Sequence, residues 1–344
     1  MKKLSLLKAI TIASTVWLSA QAQAFTVGIA MPTQNEDRWY KDGFKLQDML
    51  SEKGFKAELF YAGDIDPKLQ ERQIRRLSDS NVDLLVVGAT DCTALSDSLA
   101  YAKSKNIPVI SYDRLILNTD AISYYASFDN FEVGLIQGNY LRRKLNLDSG
   151  ADRTIEIFYG SLDDNNAAFF YEGAMSVLRP YILLGNLKVL SGRIDPEQND
   201  VQSWRTDLAS KRMEEILEKV DYKPNGQGGK KLDGILSPAD CISDGIIHTL
   251  KRHGFTSDTM PIITGQDATS NAIKNIKEGL QAMTIYKAPD QLCKTVVDMA
   301  VAISKGEEVD INDTTSYNNG VTDMLSYLCI PKLVDKQNVD TYDL

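Results

Sequence analysis

The sequence predicts an α/β protein with two parallel sheets, each covered by helices on both faces. Short apolar runs alternate with amphipathic helical stretches along nearly the whole chain, a pattern typical of parallel sheets. This alternation restarts near residue 153, which divides it into two series of βα units. The length of 344 residues is also typical of about two domains.

The first series of predicted elements ends near residue 145. Its predicted strands are 24–32, 56–62, 82–89, 107–113 and 121–129. Its predicted helices are 38–55, 67–81, 92–106 and 132–145. Trp39, Leu46 and Leu50 recur at helical spacing in the first of these helices, and Gly54 ends it. Pro67 opens the second helix, because its fixed φ suits a first helical position.

The second series repeats the pattern to the end of the chain. Its predicted strands are 153–160, 187–192, 232–238, 260–267 and 280–287, with final strands within 319–331. Its predicted helices are 165–182, 205–220, 241–254, 271–279 and 290–306. A polar, glycine-rich loop at 222–231 separates two of the units.

The first 24 residues have the pattern of a secretory signal peptide. Lys2, Lys3 and Lys8 precede an apolar stretch that is too short to span a membrane. The small residues "AQA" end at Ala24, where we predict cleavage. No later stretch reaches about 18 apolar residues, so the sequence predicts a soluble periplasmic protein.

The charge of the mature chain excludes several kinds of partner. Without the three leader lysines, 35 basic residues face 47 acidic ones, a net charge of −12. This excess of acid argues against binding to nucleic acid or to an anionic membrane surface. No glycine-rich nucleotide-binding motif follows any predicted strand, so no nucleotide cofactor is predicted.

The cysteines and histidines give no metal motif. Four cysteines, at 92, 241, 293 and 329, are open to disulfide formation in an exported protein. The sequence does not choose among the three possible pairings, and free buried thiols are the alternative. With only two histidines, a histidine-rich zinc site is not expected.

Polar or aromatic side chains follow most of the predicted strands. Ligands of open α/β sheets bind at the carboxyl ends of the strands, so these residues are the candidate site. They are Arg38, Trp39, Asp113, Arg114, Asn166, Trp204, Asp240, Asp267 and Lys287. The mixture suits a neutral, polyhydroxylated ligand, because each hydroxyl both donates and accepts, and a sugar ring packs on aromatic faces.

Each candidate also has a purely structural interpretation. Trp39 could be a core residue, as buried aromatic residues usually are. Asp113 and Arg114 could form a structural ion pair. Asp240 and Asp267 stand where helix N-caps are expected, as do Asp164 and Asn165. Lys287 could be a solvated loop charge. The shared position at strand ends is what favours a binding site.

Six stretches of the sequence resemble periplasmic sugar-binding proteins of the ribose, xylose and galactose type, and most of all the multiple-sugar-binding receptors. They are VGIAMPTQNEDRW (27–39), VISYDRLILNTDAISYYASFDNFEVG (109–134), DDNNAAFFYEGAMSVLRPYI (163–182), ILSPADCISDGI (235–246), ITGQDA (263–268) and NDTTSYNNGV (312–321). Together they extend from Phe25 almost to the carboxyl end.

The resemblance implies a type I periplasmic binding protein fold. In this fold two Rossmann-like lobes are joined by three hinge crossings and close on the ligand. The implied N-terminal lobe is 25–126 plus 288–321. The implied C-terminal lobe is 127–287 plus 322–344.

The resemblance also assigns roles to residues of the first lobe. Asp113 and Arg114 match the acidic and basic sugar ligands of the family. Trp39 matches one of the aromatic residues that stack on the sugar, and Arg38 matches a further polar ligand less closely.

The resemblance implies that the second lobe forms the opposite wall of the binding site. Trp204 matches the second stacking aromatic, and Asp267 matches the carboxylate ligand of this lobe. Lys287 matches the polar ligand at a crossing, and Asn166 matches a further ligand less closely. Many relatives carry Asn-Asp after the strand that ends near residue 236, but Ala239 takes the place of that asparagine. This departure puts a direct role for Asp240 in doubt.

The sequence therefore predicts a binding protein rather than an enzyme, without a cofactor or metal. Its ligand is a monosaccharide such as galactose, glucose, arabinose or xylose, with uronic acids left open. The partners implied by the resemblance are an inner-membrane ABC permease and a chemoreceptor or sensor kinase, and the protein is expected to be a monomer.

Two other functions compete with this prediction, and a third is excluded. A secreted glycosidase would use two carboxylates among Asp113, Asp240 and Asp267. A receptor for a cyclitol or an autoinducer would share the fold. A transcription repressor of the same fold is excluded by the leader and by the absence of a basic N-terminal helix-turn-helix.

Overall fold

The computed structural model describes residues 24–342 of the chain. The predicted signal peptide lies outside these residues, apart from its last residue, Ala24. Among the helices of residues 24–342, none has the length and apolar character needed to cross a membrane.

Six parallel strands form the first sheet. They are Thr26–Met31 (β1), Lys56–Tyr61 (β2), Leu84–Val87 (β3), Val109–Tyr112 (β4), Tyr124–Phe128 (β5) and Ser326–Cys329 (β11). Their order across the sheet is β11-β5-β4-β3-β1-β2, and every neighbouring pair is parallel.

The second lobe has a smaller parallel sheet and an antiparallel pair. The strands are Arg153–Ile157 (β6), Leu187–Lys188 (β7), Gly234–Leu236 (β8), Ile262–Ile263 (β9), Met283–Tyr286 (β10) and Lys332–Asp335 (β12). The parallel order is β7-β6-β8-β9, and β10 pairs antiparallel with β12. The predicted α/β class with two parallel sheets is confirmed.

Helices connect the strands throughout. They are Asp37–Glu52 (α1), Pro67–Asp79 (α2), Ser96–Ser104 (α3), Asn130–Lys144 (α4), Asn165–Leu183 (α5), Pro196–Asn199 (α6), Thr206–Val220 (α7), Asp240–Arg252 (α8), Ser270–Glu278 (α9) and Pro289–Lys305 (α10). Local signals set their ends: Pro67 begins α2, and the Asp66 side chain accepts the backbone N–H groups of Lys68 and Leu69.

Strand β3 shows why the apolar runs are unbroken. All four of its side chains are fully buried. Leu84 and Val86 belong to the core that includes residues of α1 and α10, whereas Leu85 and Val87 belong to the core that includes residues of α2 and α3. Alternate side chains therefore enter cores on opposite faces of the sheet, as expected of a strand covered on both sides.

The predicted strand 187–192 is much shorter than expected. Only Leu187–Lys188 pairs with β6. The backbone N–H of Ser191 donates to the buried Glu156 carboxylate at 3.1 Å instead of to a neighbouring strand. The Glu156 side chain therefore takes the hydrogen bond that a neighbouring strand would otherwise accept, and the strand ends early.

The chain passes between the two lobes three times: after β5, before α10, and between β11 and β12. The lobe boundaries predicted from the sequence differ from this path at two places. Strand β5 continues past residue 126 to Phe128, and β11 lies in the first lobe although residues 322–344 were assigned to the second. Ser326–Cys329 pairs in register with residues 125–128, and this edge position buries Ser326 and Cys329 completely.

The cysteines form no disulfide, so free thiols are the correct alternative. Cys92, Cys293 and Cys329 are buried, and Cys241 is half-buried. Among residues 24–342, no cluster of three or more His, Cys, Asp or Glu side chains is arranged to hold a metal ion.

Candidate functional site

A cavity of about 240 Å³ lies between the two lobes, at the carboxyl ends of the strands. One wall comes from α1 and from the residues that follow β4. The other comes from the start of α5, the segment before α7, and the loops after β8 and β9. Pockets for drug-sized ligands measure about 300–1,000 Å³, so this smaller volume suits a smaller molecule.

The cavity brings together eight of the nine residues predicted from the sequence. They are Arg38, Trp39, Asp113, Arg114, Asn166, Trp204, Asp267 and Lys287. The ninth, Asp240, is not among the lining residues. Seven further residues complete the lining: Glu36, Asp164, Phe170, Ala239, Cys241, Gln266 and Thr269.

Arg38 links the two walls of the cavity. On its own lobe it forms an ion pair with Asp113, and its Nε lies 3.8 Å from Asp42 Oδ2. Across the cavity its Nη1 donates to Asp267 Oδ1 at 3.3 Å. Burial raises the pKa of Asp113, but Arg38, Lys287 and Arg114 together outweigh it and hold that pKa below its usual value. Asp113 is therefore an ionised acceptor.

Arg114 forms a second ionic link between the lobes. Its Nε lies 3.0 Å from Asp164 Oδ2, and both side chains are almost fully buried. Its Nη1 also donates to the carbonyl groups of Ala89 and Thr90, at 3.1 and 3.3 Å. Asp164 Oδ1 accepts the Asn166 N–H as well, so Arg114 Nε and Nη1 and both oxygens of Asp164 have partners, as a stable buried ion pair requires.

Trp39 fulfils both of the roles that the sequence left open. Its ring packs in the core of the first lobe with 3% of its surface exposed. It also lines the cavity, and the guanidinium carbons of Arg38 and Arg114 each lie 5.2 Å from a ring centroid. These cation–π contacts orient both guanidinium groups.

Asp267 and Lys287 form an ion pair in the second wall. Lys287 Nζ lies 2.9 Å from Asp267 Oδ1, the oxygen that also accepts from Arg38. Lys287 is buried, and its ammonium group lies 5.7 Å from the centroid of the Phe170 ring. Two cations thus share one carboxylate at the cavity wall.

The start of α5 contributes both a cap and a side chain in the cavity. The Asp164 side chain accepts the backbone N–H of Asn166 at 3.0 Å, so the predicted capping role is present. Asn166 Nδ2 donates to the carbonyl oxygen of Asp113 at 3.0 Å, and its Oδ1 accepts from Asn130 Nδ2 at 2.9 Å. Asn166 therefore supports Asp113, whose φ of 61° lies in the left-handed region.

Trp204 lies on a short connection before α7. Its φ is 57° and that of Ser203 is 52°, so two consecutive residues are left-handed. The indole packs edge-on against Phe170 at a centroid distance of 6.3 Å, and its Nε1 is buried without a hydrogen-bond partner. Gly160 makes room for this ring, because a Cβ atom there would lie 2.2 Å from Trp204 Cη2.

Asp240 is displaced from the cavity because α8 begins at this residue. Ala239, the residue before it, lines the cavity instead. The carboxylate of Asp240 is fully buried and accepts from the Thr269 backbone N–H, Gln281 Nε2 and Thr284 Oγ1. Burial raises its pKa to about 8. The sequence predicts Asp240 among the ligand-binding residues, and the structure places it behind the cavity wall.

Some of the residues that the sequence prediction missed follow from the same patterns. Phe170 lies four positions after Asn166 on α5, so helical spacing puts both on one face. Gln266 and Thr269 flank Asp267 in the loop after β9. Asp164 follows a predicted strand and stands at a predicted helix cap, and a capping carboxylate can also bind a cation.

The arrangement presents donors and acceptors in pairs next to aromatic rings. Carboxylates accept from hydroxyl groups, guanidinium and ammonium groups donate to them, and both sets occur on each side of the cavity. Asp113, Asp164 and Asp267 are each bound to an arginine or a lysine. Such a site is suited to hold a small polyhydroxylated molecule by charge-assisted hydrogen bonds.

Comparison with known proteins is consistent with this geometry. Residues 27–308 match a family model described as "Periplasmic binding protein domain". The chain is 42% identical over 316 residues to "Multiple sugar-binding periplasmic protein SbpA" of Azospirillum brasilense, which covers 91% of this chain and 86% of the relative. It is 41% identical over 335 residues to "Multiple sugar-binding periplasmic receptor ChvE" of Rhizobium radiobacter, with 96% and 93% covered.

A solved structure is similar over nearly the whole fold. It is an ABC transporter solute-binding protein from Clostridium phytofermentans with bound β-D-glucose. The two chains are 41% identical and superpose with a TM-score of 0.87, which covers 92% of this chain and 95% of the other. The likeness extends through both lobes.

Proposed function

Because the chain belongs to the periplasmic binding protein family, we propose that it is the solute-binding protein of an ATP-driven sugar importer. Its ligand is a monosaccharide, an aldopyranose such as glucose, galactose, arabinose or xylose. The observation that carries this proposal is the cavity between the lobes, where ion-paired polar groups of both lobes meet two tryptophan rings. The sugar-binding relatives support the same class of ligand.

The polar residues of the cavity suit sugar hydroxyl groups. A hydroxyl donates one hydrogen bond and accepts others, so Asp113 or Asp267 accepts a hydrogen bond from it while Arg38 or Lys287 donates one to its oxygen. Hydrogen bonds to charged groups contribute about 1.5–3 kcal/mol each. Several such bonds account for selective binding of a neutral sugar without a nucleophile or a metal.

Binding is coupled to closure of the lobes. A sugar that contacts both walls interacts with the closed form more strongly than with an open one, and it therefore shifts the population toward closure. We assign residues 24–128 plus 288–329 to one lobe and 129–287 plus 330–342 to the other. The crossings near residues 129, 287 and 330 are the hinges of this motion.

Closure of the lobes also allows a partner protein to recognise that the ligand is bound. An inner-membrane ABC permease recognises the closed form of the monomer and receives the sugar from it. A chemoreceptor or sensor kinase reads the same form. The N-terminal leader predicted from the sequence directs the chain to the periplasm, where its periplasmic relatives are located.

A catalytic role is less consistent with the cavity. A glycosidase needs a carboxylic acid that gives its proton to the leaving group. Asp113 has a lowered pKa, Asp267 is bound to two cations, and Asp240 lies behind the wall. Hydrolysis of a chromogenic glycoside is the observation that would favour an enzyme over a binding protein.

The first test is a thermal-shift screen of residues 25–344 against aldoses, ketoses, uronic acids and cyclitols. We expect aldopyranoses to raise the melting temperature, because a ligand at 100 times its dissociation constant adds about 2.7 kcal/mol of stability. Uronic acids are included because Arg38, Arg114 and Lys287 supply positive charge. A shift with cyclitols alone would assign a different ligand class, and no shift with the protein freed of bound sugar by unfolding and refolding would contradict the proposal.

Gly160→Ala is expected to weaken D-glucose binding about tenfold. The added methyl group forces the Trp204 ring out of its position, and stacking on such a ring contributes about 1–3 kcal/mol by analogy with base stacking. Titration followed by tryptophan fluorescence measures the effect, since Trp39 and Trp204 are the tryptophans of the mature chain.

Gly28→Ala is the matched control for this substitution. Its methyl group meets Leu77 of α2 and Leu85 of β3, away from the cavity. It should alter stability but leave the affinity for D-glucose unchanged. Unchanged affinity in Gly160→Ala would contradict a stacking role for Trp204.

A further inference from the structure

The loop that carries Asp267 has a backbone that needs support. Asp267 has a φ of 93° and Ala268 has a φ of 50°, so two consecutive non-glycine residues are left-handed. Such conformations persist only where the surrounding structure holds them. The position of the Asp267 carboxylate therefore depends on whatever fixes this loop, residues 266–269.

Asp240 is bonded to this loop from behind, both directly and through Thr284. Its Oδ2 accepts the Thr269 backbone N–H at 3.0 Å, and its own backbone N–H donates to the Gln266 carbonyl at 3.0 Å. Thr284 Oγ1 donates to the Asp240 carboxylate at 2.9 Å and accepts the Ala268 N–H at 3.2 Å. Both ends of the left-handed pair are thus anchored to Asp240, one through its backbone N–H and the other through its carboxylate.

The sequence makes room for this carboxylate at Gly265. A Cβ atom on Gly265 would lie 2.2 Å from Asp240 Oδ1 and 2.4 Å from Gln281 Nε2. Those two atoms are themselves 2.8 Å apart and hydrogen-bonded. The glycine therefore allows a buried acceptor to sit directly against the backbone of the loop.

We propose that Asp240 is a positioning residue, which fixes loop 266–269 and through it the direction of the Asp267 carboxylate into the cavity. It does not contact the ligand itself. This inference rests on the proposed function, because it treats Asp267 as a ligand-binding group.

A double-mutant cycle with D-glucose as the probe tests the coupling. The binding measurements use pH 9, above the pKa of about 8 of Asp240, so that the wild-type carboxylate is ionised and only accepts. Asp240→Asn keeps the shape of the side chain but replaces one of these acceptor oxygens with a donor that faces another donor. We expect it to bind D-glucose at least tenfold more weakly than the wild type. In a chain that already carries Asp267→Asn, the same change should weaken binding less than twofold, because its effect passes through Asp267. An equal loss in both backgrounds, or no loss, would overturn the proposal.

Two further variants keep the test decisive if Asp240→Asn does not fold. Thr284→Val removes the hydroxyl that joins Asp240 to Ala268, and it should behave in the same way in the cycle. Thr249→Val is the control: this buried threonine lies on the same helix and bonds to Ser210, far from the loop. It should lower stability without changing affinity.

Hydrogen–deuterium exchange of the ligand-free protein separates this inference from the proposed function. In Asp240→Asn and Thr284→Val, a peptide covering 265–271 should exchange at least tenfold faster than in the wild type, and in Thr249→Val it should not. Unchanged exchange would overturn the positioning role. If the wild type binds no sugar of the panel, the proposed function fails, but the exchange experiment still decides whether Asp240 holds the loop.

Discussion

An Asp267→Ala protein is expected to bind D-glucose at least about 100-fold more weakly than the wild type. The substitution removes an acceptor for sugar hydroxyls, and it leaves Arg38 and the buried Lys287 without the carboxylate that they share. Two lost charge-assisted hydrogen bonds correspond to about 3–6 kcal/mol, and each 1.4 kcal/mol is about tenfold in affinity. Isothermal titration with D-glucose measures the change.

Two other variants isolate the cause of this loss. Asp267→Asn removes the charge but keeps a residue that tolerates a left-handed backbone, so a fall in affinity there cannot be attributed to strain. Asp152→Ala breaks an exposed ion pair with Lys188 in the same lobe and should bind normally. Wild-type affinity in Asp267→Ala would remove this residue from the site.

Arg114→Met is expected to lower the free energy of unfolding by about 3–5 kcal/mol and to abolish D-glucose binding. Asp164 would stay buried without its cation, and the carbonyl groups of Ala89 and Thr90 would lose a donor. Urea denaturation followed by circular dichroism gives the stability. Arg205→Met, which breaks an exposed pair with Asp207, should have far less effect.

The pH dependence of this variant has a definite sign. Burial raises the pKa of Asp164 above its usual value. A carboxyl group whose folded pKa is raised favours the fold below its unfolded pKa, and this contribution is lost as the pH rises through the folded value. The deficit of Arg114→Met relative to the wild type should therefore shrink as the pH falls, since protonated Asp164 is no longer an unpaired buried charge. A deficit independent of pH would contradict this account.

The fold could be predicted because its strands are buried on both faces. Runs such as Leu84–Val87 are apolar at every position, and the helices between them carry clear periodicity. The final strands were harder to assign. Ser326–Cys329 has no signal that selects a lobe, and only its pairing with residues 125–128, far away in the chain, places it in the first sheet.

The site could be predicted in part for a similar reason. The carboxyl ends of parallel strands converge, so Asp113, Asp267 and Lys287 could be grouped from their positions alone. That rule gives the edge of the sheet but not the direction of a side chain. At the start of α8 the side-chain direction decides which residue lines the cavity, since Ala239 faces it and Asp240 faces the opposite way.

Trp204 shows a different limit. Its place depends on two left-handed residues and on the space left by Gly160, which lies far earlier in the chain. No local pattern specifies such a conformation. The position after the predicted strand 187–192 and the resemblance to sugar-binding proteins both indicate this residue, but neither specifies the direction of its ring.

Residues 326–329 return to the first sheet, and this affects the order in which the two lobes can fold. Strand β5 receives its outer neighbour from Ser326–Cys329, and β10 receives its partner from Lys332–Asp335. Within residues 24–342, both of these strands follow all the others in the chain. Until they are made, each lobe has an unpaired strand edge, and such edges promote aggregation. The segment 326–335 therefore completes both lobes at once, and neither lobe can finish folding before this segment is available.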